Sequence, residues 1–372
     1  VEQRKVHGTG RKLGLAGVLG LGSLALVGCD VAPPDNGFFH ALRMGWPDGI
    51  TNEAKEMGNF WVWTWVVAWI IGIIMWALMF VVIFRDSAKR ADKQGKPEFP
   101  RQTQYNVPLE LTLTVIPVLI VMGLFFFTVQ TQDKVTALDK DPEVTVDVTA
   151  YQWNWKFGYG EVAGDFTENG ENYEGEDPDR AEAAEENGAV PENDRDEHGE
   201  SFGPIHGKST DDFSYLNYNK IETLGTSEEV PVLVLPVDTP VEFNLASSDV
   251  IHSFWVPEFL FKRDVFPHPE ANQSERRFQI EGVEDTGAFV GRCAEMCGTY
   301  HAMMNFEVRV VEKDQFADYV AFRDNNPDAT NADALREIGE EPYATSTQPF
   351  LPGRDATRGV DEGSNVQERS AS

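Results

Sequence analysis

The chain divides by the length of its apolar runs. Residues 13–28 (LGLAGVLGLGSLALVG) are apolar but short for a bilayer crossing. Residues 60–84 contain 25 residues without a charge, and residues 108–129 contain 22 interrupted only by Glu110. At about 1.5 Å per helical residue, either of these two can cross a hydrocarbon layer of about 30 Å. Trp61, Trp63 and Trp65 open the first, as an interfacial belt does. Pro117 lies inside the second, where packed neighbours can cover the freed backbone group. After residue 130 the period shortens. Residues 143–151 (EVTVDVTAY), 230–237 (VPVLVLPV), 240–245 (PVEFNL) and 305–311 (NFEVRVV) alternate in twos and predict strands. Pro, Gly and Asp break them at short intervals, which predicts a small antiparallel sandwich or barrel. Residues 313–323 (KDQFADYVAFR) predict a helix with Phe316, Tyr319, Val320 and Phe322 toward one side. The polar tail beyond, to residue 372, reads as irregular.

Charge orients this pattern. Arg4, Lys5, Arg11 and Lys12 precede the short apolar run, as in an export signal. Leu26-Val27-Gly28-Cys29 then resembles a bacterial lipobox. Residues 1–28 are therefore expected to be removed and Cys29 lipidated. Between the long runs lie Arg85, Lys89, Arg90, Lys93, Lys96 and Arg101, so the loop 85–107 is expected to be cytoplasmic. Residues 29–59 and everything after about residue 130 then lie outside a bacterial cytoplasmic membrane. The formal net charge is -30, which disfavours nucleic acid and suits a cationic partner, though plain solubility explains it equally well. Half of that charge sits in residues 161–212, with 18 Asp/Glu against three Lys/Arg. This segment reads as a flexible acidic insertion between strands, with solvated filler as the plain alternative.

The chemistry concentrates in Cys293-Ala-Glu295-Met-Cys297-Gly-Thr-Tyr-His301-Ala-Met-Met304. Two thiols, an imidazole and a thioether make a soft, copper-seeking set. His252, after the strand at 240–245, is the natural distant partner. One His upstream and Cys, His and Met on a late loop is the arrangement of copper sites in cupredoxin folds. Two cysteines four apart permit a two-copper core bridged by both sulfurs. His252 and His301 would each cap one copper, with Met304 and the carbonyl of Glu295 as weak axial ligands. Structural zinc, a dithiol redox pair and a Cys293–Cys297 disulfide remain open, and the full donor set favours copper over each. His7 lies in the signal region, and His40, His198, His206 and His268 have no partner cluster in the sequence and read as solvent-facing or locally hydrogen-bonded.

The motif C-x-E-x-C-x3-H-x2-M, after two apolar spans, resembles subunit II of cytochrome c oxidase. Residues 106–118 (NVPLELTLTVIPV), 151–159 (YQWNWKFGY) and 252–257 (HSFWVP) resemble further segments of that family. The likeness runs from about residue 60 to residue 312. It implies a two-helix hairpin and an all-β cupredoxin-like Greek-key domain over residues 130–312. It implies that His252, Cys293, Glu295, Cys297, His301 and Met304 bind the dinuclear copper centre CuA. The side chain of Glu295 would reach a magnesium ion at the border with subunit I. Trp153 would receive electrons from cytochrome c, and Trp155 would pack in the core. Glu110 would stand at the mouth of a proton channel of subunit I, with snorkelling to the interface as its plain alternative. Asp249 matches a docking acid. Gly158, His268-Pro269 and Asn305 depart from the family pattern, and none of them is a copper ligand.

The implied partners are the heme-bearing subunit I, other oxidase subunits, membrane lipid, and cytochrome c or a membrane-bound c-type cytochrome. A bc complex–oxidase supercomplex is a further setting in which the acidic insertion would replace the usual docking face. The implied activity belongs to the complex, which reduces oxygen to water and pumps protons. This chain has no C-x-x-C-H and no paired His in its spans, so it does not reduce oxygen alone. Competing readings are a membrane-tethered copper carrier outside any oxidase, a quinol oxidase subunit, a nitrous oxide reductase and a metal-free assembly subunit.

Overall fold

A computed structural model describes residues 32–97, 104–188, 213 and 215–349. Cys29, His7, His198, His206, much of the acidic segment and the end of the tail lie outside the described residues. The chain forms two compact units, one of residues up to 46 with 56–135, the other of residues 47–55 with 136 onward.

The first unit is helical. A short α1 (Gly37–Ala41) precedes the long α2 (Asn52–Arg85). A further short α3 (Ala88–Lys93) and the long α4 (Val107–Thr136) follow. Helix α2 begins before the apolar run because Thr51 accepts the orphan N–H of Ala54 at 3.1 Å. At the start of α4, Asn106 accepts from Leu109 N at 3.3 Å while Glu110 accepts from Asn106 N at 3.1 Å, a reciprocal cap. Both long helices are apolar enough to cross a membrane, and their most apolar windows have no buried residues. Glu56 and Lys134 pair at 3.6 Å between them.

The second unit is a two-sheet sandwich. Its strands are β1 (Val144–Tyr151), β2 (Asn154–Val162), β3 (Tyr173–Glu174), β4 (Glu222–Leu224), β5 (Val232–Pro236) and β6 (Val241–Ser247). They continue as β7 (His252–Val256), β8 (Phe261–Val265), β9 (Arg277–Ile280), β10 (Gly287–Cys293) and β11 (Asn305–Val311). One sheet runs β3-β2-β1-β6-β9 with β4 also on β2, and the other runs β5-β11-β10-β7-β8. The pairs β1–β6 and β5–β11 are parallel, so the sandwich is mixed where the alternation predicted antiparallel pairing. Parallel pairs require crossovers between sheets, which strand periodicity does not encode. Trp155, Phe157, Phe243, Phe254, Phe278 and Phe306 fill the space between the sheets, all less than 3 % exposed.

Three departures concern the acidic insertion, the C-terminal helix and the tail. Residues 161–162 complete β2, Phe166 and Tyr173 are buried, and a helix α5 (Pro178–Gly188) follows. Two aromatic anchors tie the beginning of the acidic stretch to the core, with Phe166 edge-on to Phe316 at 5.3 Å. The segment beyond α6 (Lys313–Asn325) is not irregular either, since α7 (Asn331–Glu337) packs there with Leu335 buried. On α6 itself Phe316, Tyr319 and Val320 are buried and Phe322 packs partly buried against the core as the pattern predicts, and Arg323 is buried beside them. Its guanidinium donates to the carbonyl of Glu222 at 2.8 Å, which makes that burial affordable.

Candidate metal centre

Two segments, far apart in sequence, supply the site. His252 opens β7, and Cys293 closes β10, its neighbour in the sheet. The chain then folds back through a short 3₁₀ turn, His301–Met303, to reach β11. Gly298 has φ +120°, and a Cβ there would approach Trp153 Nε1 to 3.1 Å. The turn therefore calls for glycine on two counts.

The side chains converge. Cys293 Sγ and Cys297 Sγ lie 3.8 Å apart, both thiols free and buried. His252 Nδ1 stands 3.8 Å from Cys293 Sγ, and His301 Nδ1 stands 3.5 Å from Cys297 Sγ. Met304 Sδ is 3.9 Å from Cys297 Sγ, and the carbonyl oxygen of Glu295 is 3.2 Å from Cys293 Sγ. The ligating atoms of His252, Cys293 and Cys297 all fall within 4.8 Å of one another. A sulfur–sulfur gap of this size is far beyond a disulfide bond of about 2.05 Å. It is spanned by a metal with bonds of about 2.3 Å to each thiolate. The order N, S, S, N, with one weak donor at each end, fits two soft ions sharing both sulfurs. It fits one tetrahedral ion less well, because the histidines flank different sulfurs.

The same contacts shift the protonation of these groups. The Cys293 thiol falls to about 3, held first by the hydrogen bond from Cys297 and then by His252 and the backbone. The Cys297 thiol is pushed up by its bond to Cys293 and by burial. Metal binding at this pair would displace thiol protons. Burial opposes charge on His252, but its bonds to Asp249 and Cys293 outweigh that and raise its pKa. For Asp249 burial is again the largest influence and again outweighed, here by donors from His252, Gln152 and Val250 that lower its pKa.

Asp249 lies three residues before His252 and turns inward. Its Oδ1 meets His252 Nε2 at 2.8 Å and accepts from Val250 N at 2.7 Å, while Oδ2 accepts from Gln152 N at 2.6 Å. A carboxylate on the far nitrogen fixes the ring so that Nδ1 faces the sulfur. Trp153 is partly exposed in the β1–β2 turn, where its Nε1 donates to the carbonyl of Cys297 at 3.1 Å. Its ring meets Tyr300 edge-on at 5.0 Å. Trp155 is fully buried, donates to Met304 O at 3.3 Å and packs against His252 and Phe306. Glu110 belongs to the helical unit, in the first turn of α4. Sequence reasoning missed Gln152, whose side-chain amide donates to the same Cys297 carbonyl at 2.6 Å. Only its position beside Trp153 could have drawn attention to it.

The family model described as "Cytochrome C oxidase subunit II, periplasmic domain" matches residues 212–311. The cytochrome c oxidase subunit 2 of Corynebacterium glutamicum is 64% identical over 367 residues, covering 99% of each chain. That of Corynebacterium diphtheriae is 62% identical over 371 residues, covering 100% of each. Among solved structures, the periplasmic domain of cytochrome oxidase subunit II of Bradyrhizobium japonicum is 23% identical. It covers 49% of this chain and 93% of that one, with a TM-score of 0.27.

Proposed function

The chain belongs to the cytochrome c oxidase subunit 2 family, and on that premise we propose that it is the electron-receiving subunit of its complex. It takes electrons from a cytochrome c heme and delivers them to heme in subunit I, where oxygen is reduced to water with proton pumping. The observation that carries this is the paired arrangement of His252–Cys293 and His301–Cys297 across a 3.8 Å sulfur gap.

His252, Cys293, Glu295 through its carbonyl, Cys297, His301 and Met304 would hold the two copper ions. Bound there, the copper pair supplies a one-electron carrier whose charge is spread over two nuclei. The protein's part is rigidity. The strands β7 and β10 fix His252 and Cys293, Asp249 fixes the ring of His252, and Trp155 closes the site from the core. Trp153 offers an aromatic edge at the surface, linked through one hydrogen bond to the backbone of Cys297. That is a short covalent and hydrogen-bonded route from the outside to a ligating sulfur.

The further assignments rest on the motif positions. The side chain of Glu295 would approach magnesium at the border with subunit I, and Glu110 would stand at a proton-channel mouth. Cys29 would carry lipid on the outer face of the cytoplasmic membrane. The donor is cytochrome c or a membrane-bound c-type cytochrome, free or within a bc complex–oxidase supercomplex. A copper carrier working outside any oxidase is disfavoured by family membership along 99% of the chain.

The test is metal content and spin spectroscopy of the purified complex. Two coppers per chain, with hyperfine coupling to both nuclei, are expected. In Cys293→Ser that coupling should disappear and turnover with cytochrome c should collapse. Single-nucleus spectra in the unmodified protein, or full turnover in the variant, would refute the assignment.

A further inference from the structure

The helical unit carries its own marker of depth. Glu56 and Lys134 pair at 3.6 Å between α2 and α4, and charged groups of this kind sit outside the hydrocarbon. Beyond it α2 becomes apolar from Phe60. Trp69, Ile73, Trp76 and Phe84 stand widely exposed, as side chains facing hydrocarbon do. Trp61, Trp63 and Trp65 are only partly exposed. The segment 37–46 lies over two of them. Trp46 stacks on Trp61 with centroids 4.3 Å apart and planes 3° apart, and Phe39 meets Trp63 at 5.9 Å. Trp61 Nε1 also donates to the carbonyl of Arg43 at 3.0 Å. Residues 61 and 63 lie five and seven positions past Glu56, so these contacts sit about 8–11 Å further along the helix.

The segment is held at that depth without being buried by protein. Phe38 is 65% exposed, Met44 48% and Trp46 36%. Leaving such apolar area in water costs about 25 cal/mol per Å². Its backbone needs little water, since Asn36 accepts from the N–H groups of Phe38 and Phe39 at 3.1 and 3.3 Å. Phe, Met and Trp outward, with His40 and Arg43 on the same short stretch, is the composition of an interfacial segment. The exposed aromatic surface is continuous with the apolar flank of α2, which argues for lipid as its occupant.

We propose that residues 37–46 form a lipid-contacting shelf, seated at the glycerol and upper acyl level beside the start of α2. The shelf rests on the outward placement of this end of the hairpin and is separate from any lipid on Cys29. It would fix the height of α2 against the bilayer surface and thereby the height of the chain that follows.

The test uses the intact complex in nanodiscs doped with phospholipids carrying a diazirine at either a shallow or a terminal acyl carbon. After illumination, labelled peptides are identified by mass spectrometry. The shallow probe should label residues 37–46, and the terminal probe should label the middle of α2. Absence of shallow labelling at 37–46 while α2 is labelled would overturn the proposal, and would leave the copper assignment untouched. Phe38→Asp should lose the shallow labelling with an unchanged copper spectrum; unchanged labelling would count against the shelf. Cys29→Ala should keep it, and its loss there would assign the contact to the anchor instead.

Discussion

At the residue scale, the metal-binding chemistry could be read from type and spacing, and its support could not. Cysteine, histidine and methionine announce themselves by their donor atoms. Gln152 does not, because its partners Asp249 and Cys297 are 97 and 145 positions away. Its backbone N–H holds the carboxylate that orients His252, and its side chain holds the carbonyl of Cys297. One residue thus braces both halves of the site and neighbours Trp153. Among the described residues, Gln152→Ala should leave Trp153 as the only side-chain donor to that carbonyl and cost about 1 kcal/mol of stability. It should also alter the copper hyperfine pattern and slow electron arrival from cytochrome c in stopped-flow traces. Asp249, which matches a docking acid by its motif position, also orients the ring of His252, and sequence spacing alone does not reveal that second contact. Glu229 offers a test by pH. Burial raises its pKa above the ordinary 4.5. The folded state then binds this proton more tightly than the unfolded state, so the group costs stability as pH rises through that interval. Glu229→Gln should therefore raise the melting temperature at neutral pH, and the gain should vanish below about pH 4.5.

At the scale of elements, β2 explains why the acidic stretch does not stay a loose loop. Trp155, Phe157 and Tyr159 point into the core, while the opposite face carries Asn154, Lys156 and Gly158. The chain returning from the acidic segment covers that face, with β4 paired to β2 and Lys156 bonded to Glu222 at 2.7 Å. A Cβ at Gly158 would lie 2.1 Å from Asn219 Oδ1, and Asn219 is itself held by Asp147 at 2.8 Å. Glycine at this position has a packing reason, since a side chain there would meet Asn219 of the chain that covers the face. Gly158→Ala should destabilise the domain by about 1–3 kcal/mol. Pairing it with Asn219→Gly should recover much of the loss, which pulse proteolysis would measure as a non-additive cycle. Strand β11 shows the same device at the other sheet. Glu307 and Arg309 face away from the core and are buried by the chain after α7, with Glu307 accepting from Thr345 N and Ser346 N at 2.7 Å each. The strand could be read in the sequence. The strap could not, because its partners are backbone groups of a segment with no periodicity.

For the whole molecule, the open question is how a chain with net charge -30 meets its donor. The folded stem of the insertion, through α5 and back from residue 215, is part of the domain's packing. Its acids are therefore poor targets for deletion, since loss of Phe166 or Tyr173 would unfold the sheet edge. Residues 189–212 can be exchanged without touching these anchors. They carry seven Asp/Glu and two Lys/Arg, a net charge of -5. Replacing them with a Gly/Ser linker of equal length preserves chain closure and removes their net charge, and a second variant with only the seven acids changed to amides isolates the charge itself. If this segment steers a cationic heme protein, the bimolecular rate should fall at low ionic strength. The wild-type and linker rates should converge as salt is added, because exposed charges are screened beyond about 10 Å at 0.1 M. The copper spectrum should not change, which separates steering from damage to the site. Identical rates at every ionic strength, with a full complement of subunits in both complexes, would show that these acids neither guide the donor nor hold the assembly.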